Sequence, residues 1–597
     1  MPYDAATGLY TSNWPDVALP DQPHSLFSFL FSSEPYSTAS NAYRRSSCKD
    51  RLWLVDSTSG RSYTYRQALK RTLDLSRAFS SRGVGDGDAV VVFSLNDIDY
   101  GPCLWATARL GGVSSCANPA YTASELAHQI RTAHAAHPVK LILVHPNSIE
   151  TAVKACEESG VSSEVILLMR STPEQLSNVE PLADGFSSID AVISSTADEP
   201  VPPEVLIKPE EARTKLALLS FSSGTTGLPK AVAIPHYAVI ANILQGAQAW
   251  DKSGSFAPYN ATQKTGDVVM AVLPFFHIYG LVVVLHTSLY QNQCVVVLPQ
   301  FTFTTFLETI QRHRVSILFL VPPIVIMLVK QATDGYNLSS LRMTMTGAAP
   351  LTEETLTAFH DKFPKVTTGQ GYGMTETCTL ISLFEPNYPG GFPGGSAGSL
   401  VPNLTVKVVS PEGKLLPPNE IGELWSRSPS NALGYLNNDK ATKETFDDEG
   451  FVHTGDEVRI DEKGHLYVVD RIKELIKSSG FQVAPAELEG HLLAHEDVQD
   501  VAVIGIPDEK RGEAPMAFIV LSPSTAARLS RSRDPSSAKS ALVALLKKHV
   551  TDHKIKYKAL AEVEFVEAIP KTQSGKLLRR DLRTLHAKKT KGEKAKM

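Results

Sequence analysis

The chain has 597 residues, enough for several domains at about 150 residues each, and its 43% hydrophobic and 20% charged content is that of an ordinary globular protein. A net charge of −5 gives no basic field to attract nucleic acid. The six cysteines (Cys48, Cys103, Cys116, Cys156, Cys294 and Cys378) lack CxxC spacing, which argues against a zinc site and a disulfide scaffold and fits a reducing intracellular compartment.

Residues 1 to about 60 are irregular in pattern, with many Pro, Ser and Asp and no signal-peptide layout. The apolar runs Ser25–Phe31 and Gly280–Leu285 are too short to span a bilayer, so both read as core elements and no transmembrane segment is expected. Arg61–Tyr65 alternates like a strand, and residues 66–82 carry Ala68, Leu69, Leu73, Leu75 and Phe79 at helical spacing. The turn cluster Gly83–Asp88 leads into Ala89–Phe93, a continuous apolar run expected as a buried strand. A helix at 99–111, a strand at 113–118 and a helix at 125–135 follow, with further strands at 141–144 and 164–168. This alternation implies parallel sheets covered on both faces. Asp198–Pro209, with four prolines, reads as a linking loop. A second α/β pass takes in 268–299, 315–321 and 343–346, and a β-rich region 405–409, 423–427 and 466–469.

After Asp470 the pattern changes. Helices at 485–494 and 537–550 and strands at 499–504, 515–521 and 562–566 form a compact α+β block. Ser522–Lys539, poor in apolar residues, reads as a solvated loop, and the Lys-rich end from Lys588 onward as mobile. The expected architecture is a large N-terminal α/β domain, residues 1–470, of parallel α/β sheets plus a β-rich subdomain. A small mobile α+β C-terminal domain, residues 471–597, completes it, with a hinge near 470–473.

The stretch Ser222-Ser223-Gly224-Thr225-Thr226-Gly227-Leu228-Pro229-Lys230 follows the apolar run Leu216–Leu219. Its glycines let the backbone turn back, its hydroxyls and N–H groups can face an anion, and Lys230 adds a mobile positive charge. A generic Gly/Ser run would more often be a surface loop; this string suits a nucleotide polyphosphate, although it is not a Walker A loop. In Leu273–Gly280 (LPFFHIYG), His277 and Tyr279 stand two apart beyond a strand end. Thr346-Gly347-Ala348-Ala349-Pro350 is a small-residue turn that permits close approach of a flat ligand or is simply a tight turn. In Gln370-Gly371-Tyr372-Gly373-Met374-Thr375-Glu376 the tyrosine could stack on a purine, Thr375 donate to a phosphate and Glu376 hold Mg²⁺. Asp456, in Thr454-Gly455-Asp456, offers a carboxylate to ribose hydroxyls. Asp470–Lys477 (DRIKELIK) and Gly480-Phe481-Gln482 sit at the domain junction, and Pro570–Lys576 is a Gly-hinged loop ending in lysine. Any one of these lysines alone would more often be a solvated charge.

In this order the strings resemble the adenylate-forming superfamily, from about residue 50 to 585, and most closely 4-coumarate–CoA ligase and its acyl-CoA synthetase relatives. The resemblance rests on SSGTTGLPK, LPFFHIYG, GYGMTE, DRIKELIK, GFQVAPAELE and PKTQSGKLLRR. It implies an acid–thiol ligase that uses ATP, Mg²⁺ and coenzyme A. A carboxylic acid first becomes an acyl-adenylate with release of pyrophosphate, and the CoA thiol then displaces AMP. By this resemblance Ser222, Ser223, Gly224, Thr225, Thr226 and Lys230 hold the phosphates. Glu376 binds Mg²⁺, Thr375 the α-phosphate, and Lys576 bridges the acyl carboxylate and the α-phosphate. Asp456 and Arg471 grip the ribose, and Ala348, Gln370, Gly371 and Tyr372 line the adenylate. His277 and Tyr279 wall the acyl pocket, His277 near the carboxylate, with Gly373, Thr379 and Leu380 further along. Lys473, Lys477, Ser479, Gly480 and Gln482 belong to the face that meets AMP and CoA. One small domain cannot present that face and Lys576 to the same place together, so the resemblance implies rotation of the C-terminal domain between the steps.

The chain departs from the 4-coumarate–CoA ligases proper at Cys378-Thr379-Leu380, where they have Gly-Pro-Val; at Gly422–Ser428, where their second signature differs; and at Ser479, where they have lysine. A hydroxycinnamate, a medium- or long-chain fatty acid or an oxylipin precursor therefore all stand as substrates. Luciferase-like oxygenation, a stand-alone amino-acid adenylation module and a non-catalytic nucleotide sensor share these motifs. His277, where an amino-acid module would have an acidic residue, argues against the second, and retention of Lys576, Lys477 and Glu376 against the third. The final Ala595-Lys596-Met597 is similar to the peroxisomal Ser-Lys-Leu address and points to a peroxisomal import receptor, the alternative being a cytoplasmic protein with a frayed lysine tail.

Overall fold

The computed structural model describes residues 2–31, 50–169, 185–222, 229–252, 266–351, 353–388, 392–479, 481–508, 510–572 and 576–594. Ser223–Leu228, Gly480, Gln573–Gly575 and Ala595–Met597 lie outside the described residues.

Two sheets build the large domain. In the first, Leu52–Asp56, Cys294–Val297, Val268–Ala271, Ile317–Leu320, Met343–Thr346 and Thr367–Met374 run parallel. Thr367–Met374 then pairs antiparallel with Thr379–Leu383, which opens the β-rich half. That half contains Thr405–Val409, Ile421–Arg427, Val452–Ile460 and His465–Arg471. The second sheet sets Ile166–Leu168, Val139–Val144, Ala89–Phe93, Val113–Ala117 and Leu216–Ser222 parallel, with Lys230–Pro235 antiparallel at its edge. Side chains alternate across this sheet, as a pleated strand requires. Val90 and Val92 enter the main core with Trp53 and Trp105, whereas Val91 and Phe93 meet the outer helices Ala123–His134 and Ile149–Ser159.

The N-terminal residues differ from expectation. Leu9–Thr11 pairs with Thr405–Val409 and Tyr3–Asp4 pairs with Leu9–Thr11, while Leu26–Phe31, expected as a core element, is a buried helix. Segments this short carry little periodic signal; pairing with a distant strand is what orders them. Tyr279–Thr287 is a buried π-helix rather than an ordinary core element. Its polar side chains bond carbonyls five residues back, Thr287 Oγ1 to Val282 at 3.0 Å and His286 Nδ1 to Leu281 at 2.7 Å. π-turns of this kind gather at functional sites.

The strand His465–Arg471 is the last of the large sheet, and Ile476–Ser478 belongs to a separate sheet with Phe481–Val483, Gly512–Leu521, Val498–Asp508 and Glu562–Phe565. Helices Pro485–Leu493, Pro535–His553 and Arg579–Lys594 cover its faces. Ser522–Lys539 is not a loop: Pro523–Ser530 is helical, and Asp534 caps the next helix by accepting from Ser536 and Ser537 N–H with Pro535 at its first turn. The Lys-rich end continues as helix to Lys594.

Gly373 holds the two halves of the first sheet together. A Cβ there would lie 1.4 Å from the Thr379 carbonyl oxygen. Gly373→Ala is expected to cost about 2–3 kcal/mol or more, because backbone must shift. Urea unfolding checks this; an unchanged midpoint would contradict the packing described.

Candidate active site

The C-terminal ends of Val268–Ala271, Met343–Thr346 and Thr367–Met374 face one crevice, where ligands of open parallel sheets usually bind. The ends of the Ser222–Lys230 stretch reach it from the second sheet, where Lys230 pairs directly and antiparallel with Ser222. Pro229 is pinned by His128, whose Nε2–H reaches its carbonyl at 3.1 Å.

Glu376 sits beside this strand pair, buried in a short helical turn, Thr375–Thr377. Ser222 Oγ donates to its Oε1 at 3.1 Å and Tyr435 Oη to the same oxygen at 2.7 Å. Lys230 Nζ lies 4.6 Å from the centre of the Tyr435 ring, a cation–π distance. Burial, and then the Glu376 charge, push the Tyr435 hydroxyl well above its ordinary pKa, so it stays a donor. Tyr435→Phe is expected to lower stability by about 1–3 kcal/mol, since a buried carboxylate loses a donor. Chemical denaturation measures it, and a loss below a few tenths would show that the bond carries nothing.

Opposite, Tyr372 Oη donates to Asp456 Oδ2 at 2.6 Å, and Arg471 Nε lies 3.3 Å from Asp456 Oδ1. Desolvation raises the Asp456 pKa despite Arg471, Tyr372 and Lys576, which pull it down. Lys576 completes this cluster from the small domain. Its backbone N–H donates to Thr572 Oγ1 at 3.0 Å, and Thr572 N–H donates back to its carbonyl at 2.8 Å. Burial first, then Arg471, lower the Lys576 pKa to about 8, while Glu474, Asp456 and Glu376 oppose the shift. Burial, with a smaller push from Lys576, lowers His277 to about 4, so it is neutral at physiological pH.

The remaining strings form a wall next to His277. Tyr279 Oη donates to the Met345 carbonyl at 3.2 Å, and Tyr279 N–H to His277 Nδ1 at 3.3 Å. A Cβ on Gly280 would come within 2.2 Å of the Pro274 carbonyl, so this turn requires glycine. Thr379 Oγ1 donates to the Ile278 carbonyl at 3.1 Å. Asn242 clamps the Leu380 backbone, its Nδ2 to the carbonyl at 3.1 Å and its Oδ1 from the N–H at 3.0 Å. The Leu380 side chain packs against Gly246, where a Cβ would lie 3.0 Å from it. Cys378 and Thr379 hold φ of 55° and 109°, a strained pair for non-glycine residues.

The structure thus brings together Ser222, Lys230, Tyr372, Thr375, Glu376, Asp456, Arg471, Lys576 and His277 around one crevice. Gln370 is buried with Oε1 accepting from Leu351 N–H at 2.7 Å, Gly371 abuts Met345, and Ala348 is exposed at φ 68°. Gly373 and Thr379 act as framework, since the threonine hydroxyl is engaged by Ile278. Lys473, Lys477, Ser479 and Gln482 are exposed, on the strands Ile476–Ser478 and Phe481–Val483 and the residues beside them, and are not brought to Lys576. Ser223, Gly224, Thr225, Thr226 and Gly480 lie outside the described residues. Tyr435, Asn242 and Glu474 escaped the sequence reading. Tyr435 arrives through a bridge to Val232 that no local pattern signals.

Residues 42–436 match the family model "AMP-binding enzyme", and residues 487–576 match "AMP-binding enzyme C-terminal domain". The chain is 34% identical over 579 residues to 4-coumarate–CoA ligase 5 of Oryza sativa subsp. japonica, covering 96% of this chain and 97% of that protein. It is 35% identical to 4-coumarate–CoA ligase 3 of Arabidopsis thaliana over 96% of this chain and 93% of the relative. Among solved structures, an anthranilate CoA ligase in complex with anthranoyl-AMP superposes with a TM-score of 0.77 at 24% identity, over 95% of this chain and 98% of the other, and shares the fold. The chain belongs to the AMP-binding enzyme family and is an acid–thiol ligase of the 4-coumarate–CoA ligase type.

Proposed function

We propose that the crevice carries out both half-reactions of an acyl-CoA synthetase, and that the described arrangement belongs to the first. The observation that carries this is Lys576, delivered by the small domain into the charge environment of Asp456, Arg471, Glu376 and His277. In the first step a carboxylate oxygen attacks the α-phosphorus of ATP, the bond to the β-phosphate oxygen breaks, and pyrophosphate leaves. The obstacle is repulsion between a carboxylate and a polyphosphate, which fixed positive charge and N–H donors relieve. Ser222, Lys230 and the Ser223–Thr226 residues between them take the phosphates, and Thr375 the α-phosphate. Lys576 spans the acid and the α-phosphate, Asp456 and Arg471 hold the ribose, and neutral His277 donates to the acyl carboxylate. In the second step the CoA sulfur attacks the acyl carbon, the bond to the phosphate oxygen breaks, and AMP departs.

Glu376 suits a hard cation: both described donors fall on Oε1, which leaves Oε2 for a magnesium ion arriving with ATP. When bound, that ion supplies positive charge at the phosphates. The exposed Lys473, Lys477 and Gln482 support a rotation about Asp470–Lys473 that would exchange them for Lys576. Asp470 Oδ2 accepts from Ala486 N–H at 3.1 Å, tying the end of the large sheet to the first helix of the small domain.

The strained Cys378–Thr379 pair and the Leu380–Gly246 contact support a pocket shaped differently from that of a hydroxycinnamate ligase. The substrate class is a hydroxycinnamate-type acid, a medium- or long-chain fatty acid, or an oxylipin precursor. Pyrophosphate release and acyl-CoA formation across a panel of these acids test the reading. Acid-dependent release followed by thioester on adding CoA is expected; release with no acid of the panel would overturn it. Ala595-Lys596-Met597 is proposed as a peroxisomal address: removing these residues should move the protein to the cytosol, and unchanged location would reject it.

A further inference from the structure

The small domain carries four histidines where two helices pack. His491 and His495 stand four residues apart at the end of Pro485–Leu493, and His549 and His553 four apart at the end of Pro535–His553. The His491 and His549 rings stack with centroids 4.2 Å apart. His553 lies 5.2 Å from His491 and 5.1 Å from His549. One ring nitrogen each from His491, His549 and His553 lies within 4.8 Å of the other two.

One nitrogen of each ring is engaged with a backbone carbonyl. His491 Nε2 reaches the His549 carbonyl at 3.2 Å, His549 Nε2 the His491 carbonyl at 3.4 Å, and His553 Nδ1 the His549 carbonyl at 2.8 Å. A carbonyl only accepts, so these nitrogens carry the protons of the neutral rings. The lone pairs are then on Nδ1 of His491 and His549 and on Nε2 of His553. Metal-ligating histidines are prepared in this way: the second nitrogen donates to a carbonyl, which fixes tautomer and orientation. His495 differs. Its Nδ1 accepts from Asp497 N–H at 3.3 Å, and it meets His549 at 75°, so it borders the group without joining it.

We infer that His491, His549 and His553 form a binding site for one late first-row divalent cation, foremost zinc, on the small domain and apart from the Glu376 carboxylate. Three imidazoles select such a cation over magnesium. Zinc–nitrogen bonds of about 2.0–2.1 Å place tetrahedral ligand atoms about 3.3 Å apart, so the stacked rings must pivot together on loading. Exposed His553 gives the ion a way in, and three protein ligands leave a fourth position open. The cysteine spacing that argues against a zinc site bears only on sulfur ligands.

The test uses the full-length, untagged chain, stripped with a chelator and titrated with Zn²⁺ by calorimetry and with Co²⁺ by visible absorption. One equivalent should bind, Co²⁺ should give the intense d–d bands of a low-coordinate site, and millimolar Mg²⁺ should not compete. His553→Gln changes an exposed residue outside the ligase site. It should weaken Zn²⁺ by about tenfold or more while leaving acyl-CoA formation intact. His491→Gln with His549→Gln should abolish binding; if that variant fails to fold by circular dichroism, His553→Gln decides alone. No stoichiometric Zn²⁺, or Zn²⁺ held equally well by His553→Gln, would show that these histidines only pack.

Discussion

Lys576→Ala is expected to slow acyl-adenylate formation by about 10²–10³-fold, the usual effect of deleting one pre-placed electrostatic group, and to leave CoA attack on supplied acyl-adenylate within a few-fold of the parent. The asymmetry follows from where charge builds. In the proposed reaction carboxylate and α-phosphate meet only in the first step, and Lys576 stands among Arg471, Glu474, Asp456 and Glu376, the groups proposed to surround that point. Its pKa, lowered to about 8 by burial and then Arg471, adds a pH signature. The protonated form is the useful one, so kcat/KM for adenylation should hold below about pH 8 and fall as pH rises through it. Lys576→Arg, which keeps its charge throughout, should lose that alkaline limb even if its rate is lower. Stopped-flow pyrophosphate release measures each rate; an alkaline limb unchanged in Lys576→Arg would remove Lys576 as its source.

Asp456→Asn is expected to impair both half-reactions, raising the KM for ATP by about 10²-fold, the equivalent of one or two charge-assisted hydrogen bonds. The nucleotide ribose is present in both steps, so the loss should appear in each. The variant also leaves Arg471 without its carboxylate at 3.3 Å, although Glu474 remains nearby. Unfolding free energy should therefore fall, by less than the 3–5 kcal/mol typical of an abandoned buried charge. Half-reaction kinetics beside a denaturation curve separate the two effects. A variant impaired in adenylation alone would contradict a ribose-holding role.

Much of the α/β alternation was legible because buried parallel strands such as Ala89–Phe93 are continuous apolar runs bounded by turn residues. Thr367–Met374 was not, since its glycines argue against strand; pairing with Met343–Thr346 overrides that local preference. The helix expected at 537–550 is Pro535–His553, and its start signal, Asp534-Pro535, lay in the polar Ser522–Lys539 stretch read as a loop. At the site, Ser222, Lys230, Glu376, Asp456 and Lys576 were legible as strings of chemistry, each ambiguous alone. What joins them is long-range: the strand pairing that sets Lys230 against Ser222, the bridge that brings Tyr435 to Glu376, and the docked small domain. The histidine pairs show the same limit. Each four-residue spacing is visible in the chain, but their meeting across two helices is not.

In the proposed function two faces of the small domain serve two steps, Lys576 the first and the Lys477–Gln482 face the second. Single-turnover rates for adenylation and for thioester formation, measured separately on Lys576→Ala and on Lys477→Ala with Gln482→Ala, test it most directly. Crossed losses are expected: Lys576→Ala deficient in adenylation alone, and the Lys477 and Gln482 double variant deficient in thioester formation with adenylation near the parent rate. Loss of the same half-reaction in both proteins would contradict it.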